Sequence, residues 1–337
     1  MKEIDLSIGA PKEPVSQEVR AALTAADWQV GYPPAAGSEI FKTAVVNWAK
    51  QALALDISFE QVMPVAGAKE FVGTLAWVLG LTRNSTIAIP NLSYPTYQDG
   101  AEQIGAKILR YETADDLAKA EKIDLLWINS PNNPTGEILQ AAQLIALLEV
   151  AQTKNAVVVS DETYLETAID SVAPSAFAIA QNQGLKNVLG LYSLSKRNSL
   201  AAFRVGYTLG SFDLIDRLIS VRRKLGLLAN SPATQVASNL LADFSYPKKI
   251  REQFLKRREV LLPALTSKGF TNYAPGGMFL WLSNGENGKQ VAERFLALGI
   301  KVAPGILYGP SGENFVRISL TLTESEADEV ALRLKDF

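Results

Sequence analysis

The chain has neither cysteine nor histidine among its 337 residues. Without cysteine there is no disulfide framework, no thiol nucleophile and no thiolate metal site. Without histidine, Ser-His-Asp triads, Cys-His dyads and histidine-ligated zinc are excluded as well. Proton transfer must fall to Lys, Asp, Glu or Tyr. Excess charge is also lacking: 33 basic against 35 acidic residues leave a formal net charge of -2, with no broad positive field for a nucleic-acid backbone. Any anion is held by local groups. Long apolar runs are missing too. The longest, residues 71–81, is too short to span a bilayer, and Met1-Lys2-Glu3-Ile4-Asp5 lacks the pattern of a signal peptide. A soluble, cytoplasmic protein with no nucleic-acid or membrane partner is the expectation.

What is present is ordinary globular material, 47% hydrophobic, over a length that accommodates one or two domains. Short apolar runs at 86–89, 125–128, 156–159 and 188–191 alternate with helical patterns at 71–81, 95–104 and 140–153. This alternation predicts an α/β fold, a mostly parallel central sheet covered by helices. Beyond about residue 244 the pattern changes to a long charged helix at 246–268, apolar runs at 279–282 and 315–320, and helices near 291–298 and from 324. A second, smaller α+β unit follows. The first residues, extended and proline-containing around one helix at 16–27, are assigned to it. The expected division is a large domain over 33–244 and a small domain made of 1–32 and 245–337.

The polar motifs fall at the ends of the predicted strands, where open α/β sheets bind ligands. Gly67-Ala68-Lys69-Glu70 opens a helix, so its backbone N–H groups can face an anion, although the same residues also read as turn chemistry. Asn132-Asn133-Pro134-Thr135-Gly136 is a turn in which Pro134 holds Asn133 extended and aims its amide. Asp161 follows a buried strand and needs a donor or cation there, or else it caps the next turn. Tyr164 adds a phenol three residues on. Ser193-Leu194-Ser195-Lys196 places two hydroxyls on one side of an extended segment. The apolar Leu200-Ala201-Ala202-Phe203 after it puts Lys196 near the interior, and a partly desolvated ammonium has the lowered pKa that an imine-forming lysine requires. Arg204 is an odd residue to bury without an anion. Arg317, alternating with Val316 and Ile318, reads equally as a carboxylate clamp or an exposed strand arginine. A lysine amine, a phosphate holder and a carboxylate in this order suggest one cofactor, pyridoxal 5'-phosphate.

As a set, Asn133, Asp161, Tyr164, Lys196, Arg204 and Arg317 resemble the fold-type I pyridoxal-phosphate enzymes, and among them the class I/II aminotransferases with their aspartate-aminotransferase-like fold. The resemblance implies that Lys196 is the Schiff-base lysine and proton shuttle and that Asp161 pairs the pyridine nitrogen. Asn133 and Tyr164 would contact the phenolic oxygen, with Tyr94 stacked on the ring. It implies a phosphate site at Gly67, Ala68, Lys69, Ser193, Ser195 and Arg204. Tyr32 would reach the phosphate of a neighbouring subunit, which implies a homodimer with shared active sites. Arg317 would clamp the substrate α-carboxylate, with Gly9 and Asn133 beside it. No metal is implied.

Residues 193–206 and Tyr308-Gly309-Pro310-Ser311-Gly312 are similar to short actinobacterial N-succinyldiaminopimelate aminotransferases. That resemblance implies small-molecule amino and keto acid substrates, with glutamate as donor and N-succinyl-2-amino-6-ketopimelate of lysine and diaminopimelate biosynthesis as acceptor. Residues 227–234 depart from the Met/Pro-rich loop expected there. Arg197, Arg222 and Arg223 are the sequence candidates for a distal carboxylate. An aspartate, aromatic or histidinol-phosphate aminotransferase, or a carbon-sulfur β-lyase, would use the same Lys196 and Asp161.

Overall fold

The structure is a computed structural model that describes residues 2–26, 31–169, 171–274 and 276–337. Among those residues thirteen strands form three sheets. In chain order they are β1 (Ile4–Asp5), β2 (Val62–Val65), β3 (Thr86–Pro90), β4 (Lys107–Tyr111), β5 (Leu125–Asn129), β6 (Val157–Asp161), β7 (Val188–Ser193), β8 (Gly206–Leu209), β9 (Thr271–Asn272), β10 (Phe279–Ser283), β11 (Ile300–Lys301), β12 (Ala303–Pro304) and β13 (Val316–Ser319). The large sheet has the order β2-β8-β7-β6-β5-β3-β4. Its central strands read as unbroken apolar runs because both faces are covered: every residue of β5 and of β7 is buried.

One strand of that sheet, β8, runs against its two neighbours. Its N-terminal end therefore lies at the edge where the other strands end. Gly206 is paired with Ser193 on one side and Val65 on the other, and Asn129 stands opposite Asp161. A Cβ on Gly206 would come within 2.6 Å of the Tyr192 carbonyl oxygen, so only glycine lets these backbones close up. This register gathers Gly67, Ser193 and Arg204 into one corner.

The helices over the sheet bury one face each. Ala68–Val78 buries Phe71, Val72 and Leu75, and it starts three residues earlier than its apolar pattern predicts. Gly67, at φ 81, is its N-cap, and Gly80, at φ 68, follows its end. Pro95–Glu102 is shorter than the predicted 95–104, ending before Gly105 at φ 66.

A second apolar cluster holds Ile4, Leu6, Phe254, Phe279, Leu280 and Ile318 around the sheet β12-β13-β10-β9. The N-terminal segment is tied to it at several points. The Leu6 amide donates to Lys301 O at 2.8 Å, its carbonyl accepts from Ser319 N at 2.9 Å, and Arg257 holds Glu13 at 2.6 Å. The helix Gln17–Ala25, capped by Ser16, packs elsewhere. Its Val19 joins the main core and the helix lies against Ser231–Leu241, so the described residues of this N-terminal segment touch both clusters. The apolar face of Val19, Ala22 and Leu23 accounts for the contact with the main core. Residue 27, the expected end of this helix, lies outside the described residues.

Candidate active site

At the strand-end edge of the large sheet is a cleft of about 550 Å³. Of the residues singled out by sequence, Gly9, Ala68, Lys69, Tyr94, Asn133, Asp161, Tyr164, Ser193, Ser195, Lys196, Arg204 and Arg317 line it. Gly67 stands directly behind Arg204.

Lys196 owes its position to Ser193, the last residue of β7. The segment after it is not extended, as the spacing of two serines predicts, but turns at once into the single helical turn Leu194–Arg197. The Ser193 hydroxyl accepts from Ser195 N at 3.1 Å, which caps that turn and ends the strand. Lys196 then points across the cleft and donates to the Gly9 carbonyl. Burial pulls its ammonium down to about 8, Arg317 and Arg204 push the same way, and Asp161 opposes them.

Asp161 ends β6 and is buried. Its carboxylate accepts from the Tyr97 hydroxyl at 2.6 Å and from Thr163 N at 3.2 Å. Burial raises its pKa, while those two hydrogen bonds and Lys196 pull it back. The Tyr97 ring is stacked on Trp127 at 4.7 Å, which fixes the direction of its hydroxyl. Asn129, at the end of β5, donates to Asp161 O at 2.9 Å and accepts from Asn133 N at 2.8 Å, so one side chain locks both neighbouring loops. The Asn133 amide then donates to the Tyr164 hydroxyl at 3.3 Å and accepts from Arg317 at 2.6 Å. Burial drives the Tyr164 phenol above its ordinary range.

The opposite corner is a cradle. Arg204, at φ 51, donates to Ala201 O at 2.8 Å, and its guanidinium lies where a Cβ on Gly67 would sit, 2.5 Å from one terminal nitrogen. The amino end of the helix Ala68–Val78 faces the same space.

Arg317 is 5% exposed and comes from β13. It donates to Asn133 and to the Ser7 carbonyl and lies over the rings of Phe279 at 4.2 Å and Tyr308 at 4.8 Å. The other four buried arginines, Arg197, Arg222, Arg257 and Arg333, each hold a carboxylate within 3 Å. Among the described residues Arg317 has none, and its buried Nε has no hydrogen-bond partner. Gly9 packs on Phe279, whose ring would be 2.8 Å from a Cβ there.

Three arginines proposed for a distal carboxylate are not in the cleft. Arg197 is taken by Glu166 and the carbonyls of Leu240, Leu241 and Asp243, and Arg222 by Glu70 and Leu227 O. Arg223 is exposed and away from the cleft. Tyr32 is 95% exposed and outside it. Residues 227–234 do not line it either; Ala229, Ser231 and Thr234 lie instead beside Pro33 and Pro34. Sequence reasoning missed Tyr97, Asn129, Phe279 and Tyr308. Tyr308 stood in a motif singled out by sequence, and there only as part of a resemblance.

The sequence pattern of the family Aminotransferase class I and II matches residues 1–334. The chain belongs to that family. This aminotransferase is 35% identical over 337 residues to the Mycobacterium tuberculosis protein named "Probable aminotransferase Rv1178", covering 98% of this chain and 80% of the relative. It is 34% identical to the 4-dedimethylamino-4-oxo-anhydrotetracycline transaminase OxyQ of Streptomyces rimosus, over 98% of this chain and 92% of the relative. Its fold matches that of N-succinyldiaminopimelate aminotransferase from Mycobacterium tuberculosis with a TM-score of 0.91 at 23% identity, covering 99% and 93% of the two chains. The aspartate-aminotransferase-like fold and the transaminase activity expected from the sequence are therefore those of the protein.

Its cofactor is pyridoxal 5'-phosphate. The cleft fits that molecule on its own chemistry. It has an amine that loses its proton near neutral pH, a buried carboxylate at one end, and a cationic corner that a Cβ on Gly67 would fill at the other.

Proposed function

We propose that this aminotransferase moves an amino group from glutamate to N-succinyl-2-amino-6-ketopimelate, a keto acid of diaminopimelate and lysine synthesis, and works as a cytoplasmic homodimer. A relative named LL-diaminopimelate aminotransferase, from Dehalococcoides mccartyi, is 28% identical over 361 residues, covering 99% of this chain and 91% of the relative, which supports the pathway. The homodimer reading rests on Tyr32, an aromatic side chain left almost wholly exposed.

The observation that carries the chemistry is the position of Lys196. Its amine lies in one cleft with Asp161, Arg204 and Arg317. Bound pyridoxal phosphate supplies an electron sink when the substrate Cα–H bond breaks. In our reading Asp161 holds the pyridine nitrogen and is itself held by Tyr97 and Thr163. Asn133 and Tyr164 face the phenolic oxygen. Gly67, Ala68, Lys69, Ser193, Ser195 and Arg204 take the phosphate, and Tyr94 covers the ring. Arg317, with its unpartnered Nε, takes the substrate α-carboxylate beside Gly9. Lys196 Nζ would accept the Cα proton as a neutral amine and deliver it to the cofactor carbon C4'. Burial keeps a larger neutral fraction of Lys196 at physiological pH than a solvated lysine has.

Two measurements test this. Borohydride reduction of the holoenzyme followed by mass spectrometry is expected to find the cofactor on the peptide that contains Lys196, and Lys196→Ala is expected to abolish both the attachment and turnover. Attachment elsewhere overturns the assignment. A panel of keto acids and amino donors tests the substrate. Fastest turnover is expected with glutamate and the succinylated keto acid, whereas pyruvate and ammonia released without a keto acid would make the protein a β-lyase.

A further inference from the structure

A second cleft of about 530 Å³ opens beside the first. The two share Pro95 and Leu307, so the cleft that holds Lys196 and the second cleft meet at these two residues. Leu307 is 59% exposed and sits at the junction. Beyond it lies Arg110, near the end of the edge strand β4.

Arg110 is set up rather than merely present. One terminal nitrogen donates to Asn91 O at 2.8 Å and the other to the Gln98 side-chain oxygen. The Gln98 amide is oriented in turn, because its nitrogen donates to Glu102 at 2.6 Å. Gly309 closes over this group, with Arg110 3.2 Å from where its Cβ would be. Two donors of the five on the guanidinium are used, and no carboxylate lies within ion-pair distance among the described residues. Burial accordingly lowers its pKa, with only Glu102 offsetting the loss of water. Asp99 also lines this cleft, at an exposed position.

We infer that the second cleft is the distal half of the substrate site and that Arg110 holds a carboxylate at the far end of a long amino or keto acid. The inference rests on the aminotransferase reading of the first cleft and adds a substrate class to it: chains long enough to pass Leu307 and ending in an anion. A planar guanidinium braced at two nitrogens suits a carboxylate. Apolar Leu307, Ile306 and Ile108 line the path and suit methylenes. Arg110 is a specificity residue here, since it touches no reacting atom.

Calorimetric titration of the holoenzyme with unreactive straight-chain diacids of increasing length, and with monoacids of the same length, reads the subsite without turnover. Diacids are expected to bind more tightly than matched monoacids above a threshold length. Arg110→Gln should remove that preference, weakening diacids about tenfold or more and leaving monoacids and short amino acids unchanged. Asp99→Asn, at an exposed site that does not threaten folding, should move diacids the other way, tightening them a few-fold by removing a like charge. Equal binding of diacids and monoacids, or equal weakening of both by Arg110→Gln, overturns the inference. If no amino acid is turned over at all, the reading of the first cleft fails, while the titrations still report on Arg110.

Discussion

At one end of the cleft, Asn129, Asp161 and Ser193 terminate three neighbouring strands of one sheet, and their loops are locked by hydrogen bonds from side chain to backbone only a few residues or one strand apart. At the other end, Gly9 and Arg317 arrive from a segment and a strand that belong to the second apolar cluster and meet Lys196 and Asn133 across sequence separations of 187 and 184 residues. The first end is rigid by construction, because a sheet buried on both faces cannot shift one strand without the next. The second depends on how the smaller cluster sits on the larger. In the function proposed above, cofactor chemistry, which is common to a whole family, belongs to the rigid end, and substrate choice belongs to the end assembled from distant pieces.

The sharpest way to break this comparison is Arg317→Gln. Removing the charge from a buried donor pair is expected to lower kcat/KM for amino acids about 100- to 1,000-fold, mainly through KM, while cofactor affinity hardly changes. Steady-state kinetics alongside cofactor titration checks it. Because Arg317 also holds the Asn133 side chain at 2.6 Å, an equal loss of cofactor affinity would mean that the two ends act as one unit.

Tyr97→Phe probes the rigid end. It keeps the stack on Trp127 and removes only the hydroxyl that donates to Asp161. A hydrogen bond to a charged group contributes about 1.5–3 kcal/mol, so cofactor affinity and kcat should fall about tenfold or more, with KM little changed. Tyr94→Phe is the control: no hydrogen bond of the Tyr94 hydroxyl is present among the described residues, and the ring remains. If both variants behave alike, Tyr97 merely packs.

The same contrast explains what was legible in the sequence. Asn133, Asp161, Ser193 and Lys196 each follow a recognisable strand, and local rules place a strand's end. The turn at Ser193 was misread because two serines spaced by two fit a strand as well as an N-cap; only the bond from Ser195 N decides. Tyr97 was hidden because nothing in its own segment says that Asp161, 64 residues away, lies opposite its hydroxyl. Arg197 and Arg222 looked available for substrate because a buried arginine and its carboxylate are distant in sequence: Glu166 and Glu70 claim them only in three dimensions. Arg110, in an edge strand whose apolar pattern is weak, gave no signal.

The smallest expected effect concerns Lys196 itself, where both ends meet. In the cofactor-free protein burial, then Arg317, then Arg204 lower its pKa to about 8. The neutral amine is the nucleophile that captures pyridoxal phosphate, so the capture rate should rise with pH through that value and level off above it. Between pH 7 and pH 8 the neutral fraction grows about fivefold, and the rate with it. Arg317→Gln removes one of the two like charges, so its midpoint should move upward, towards that of an ordinary lysine. Stopped-flow absorbance at a series of pH values reads both curves. A midpoint near the usual lysine range in the unaltered protein would mean that Lys196 is solvated before the cofactor arrives; an unmoved midpoint in the variant would mean that burial and Arg204, and not the arginine brought in by the smaller cluster, set the amine.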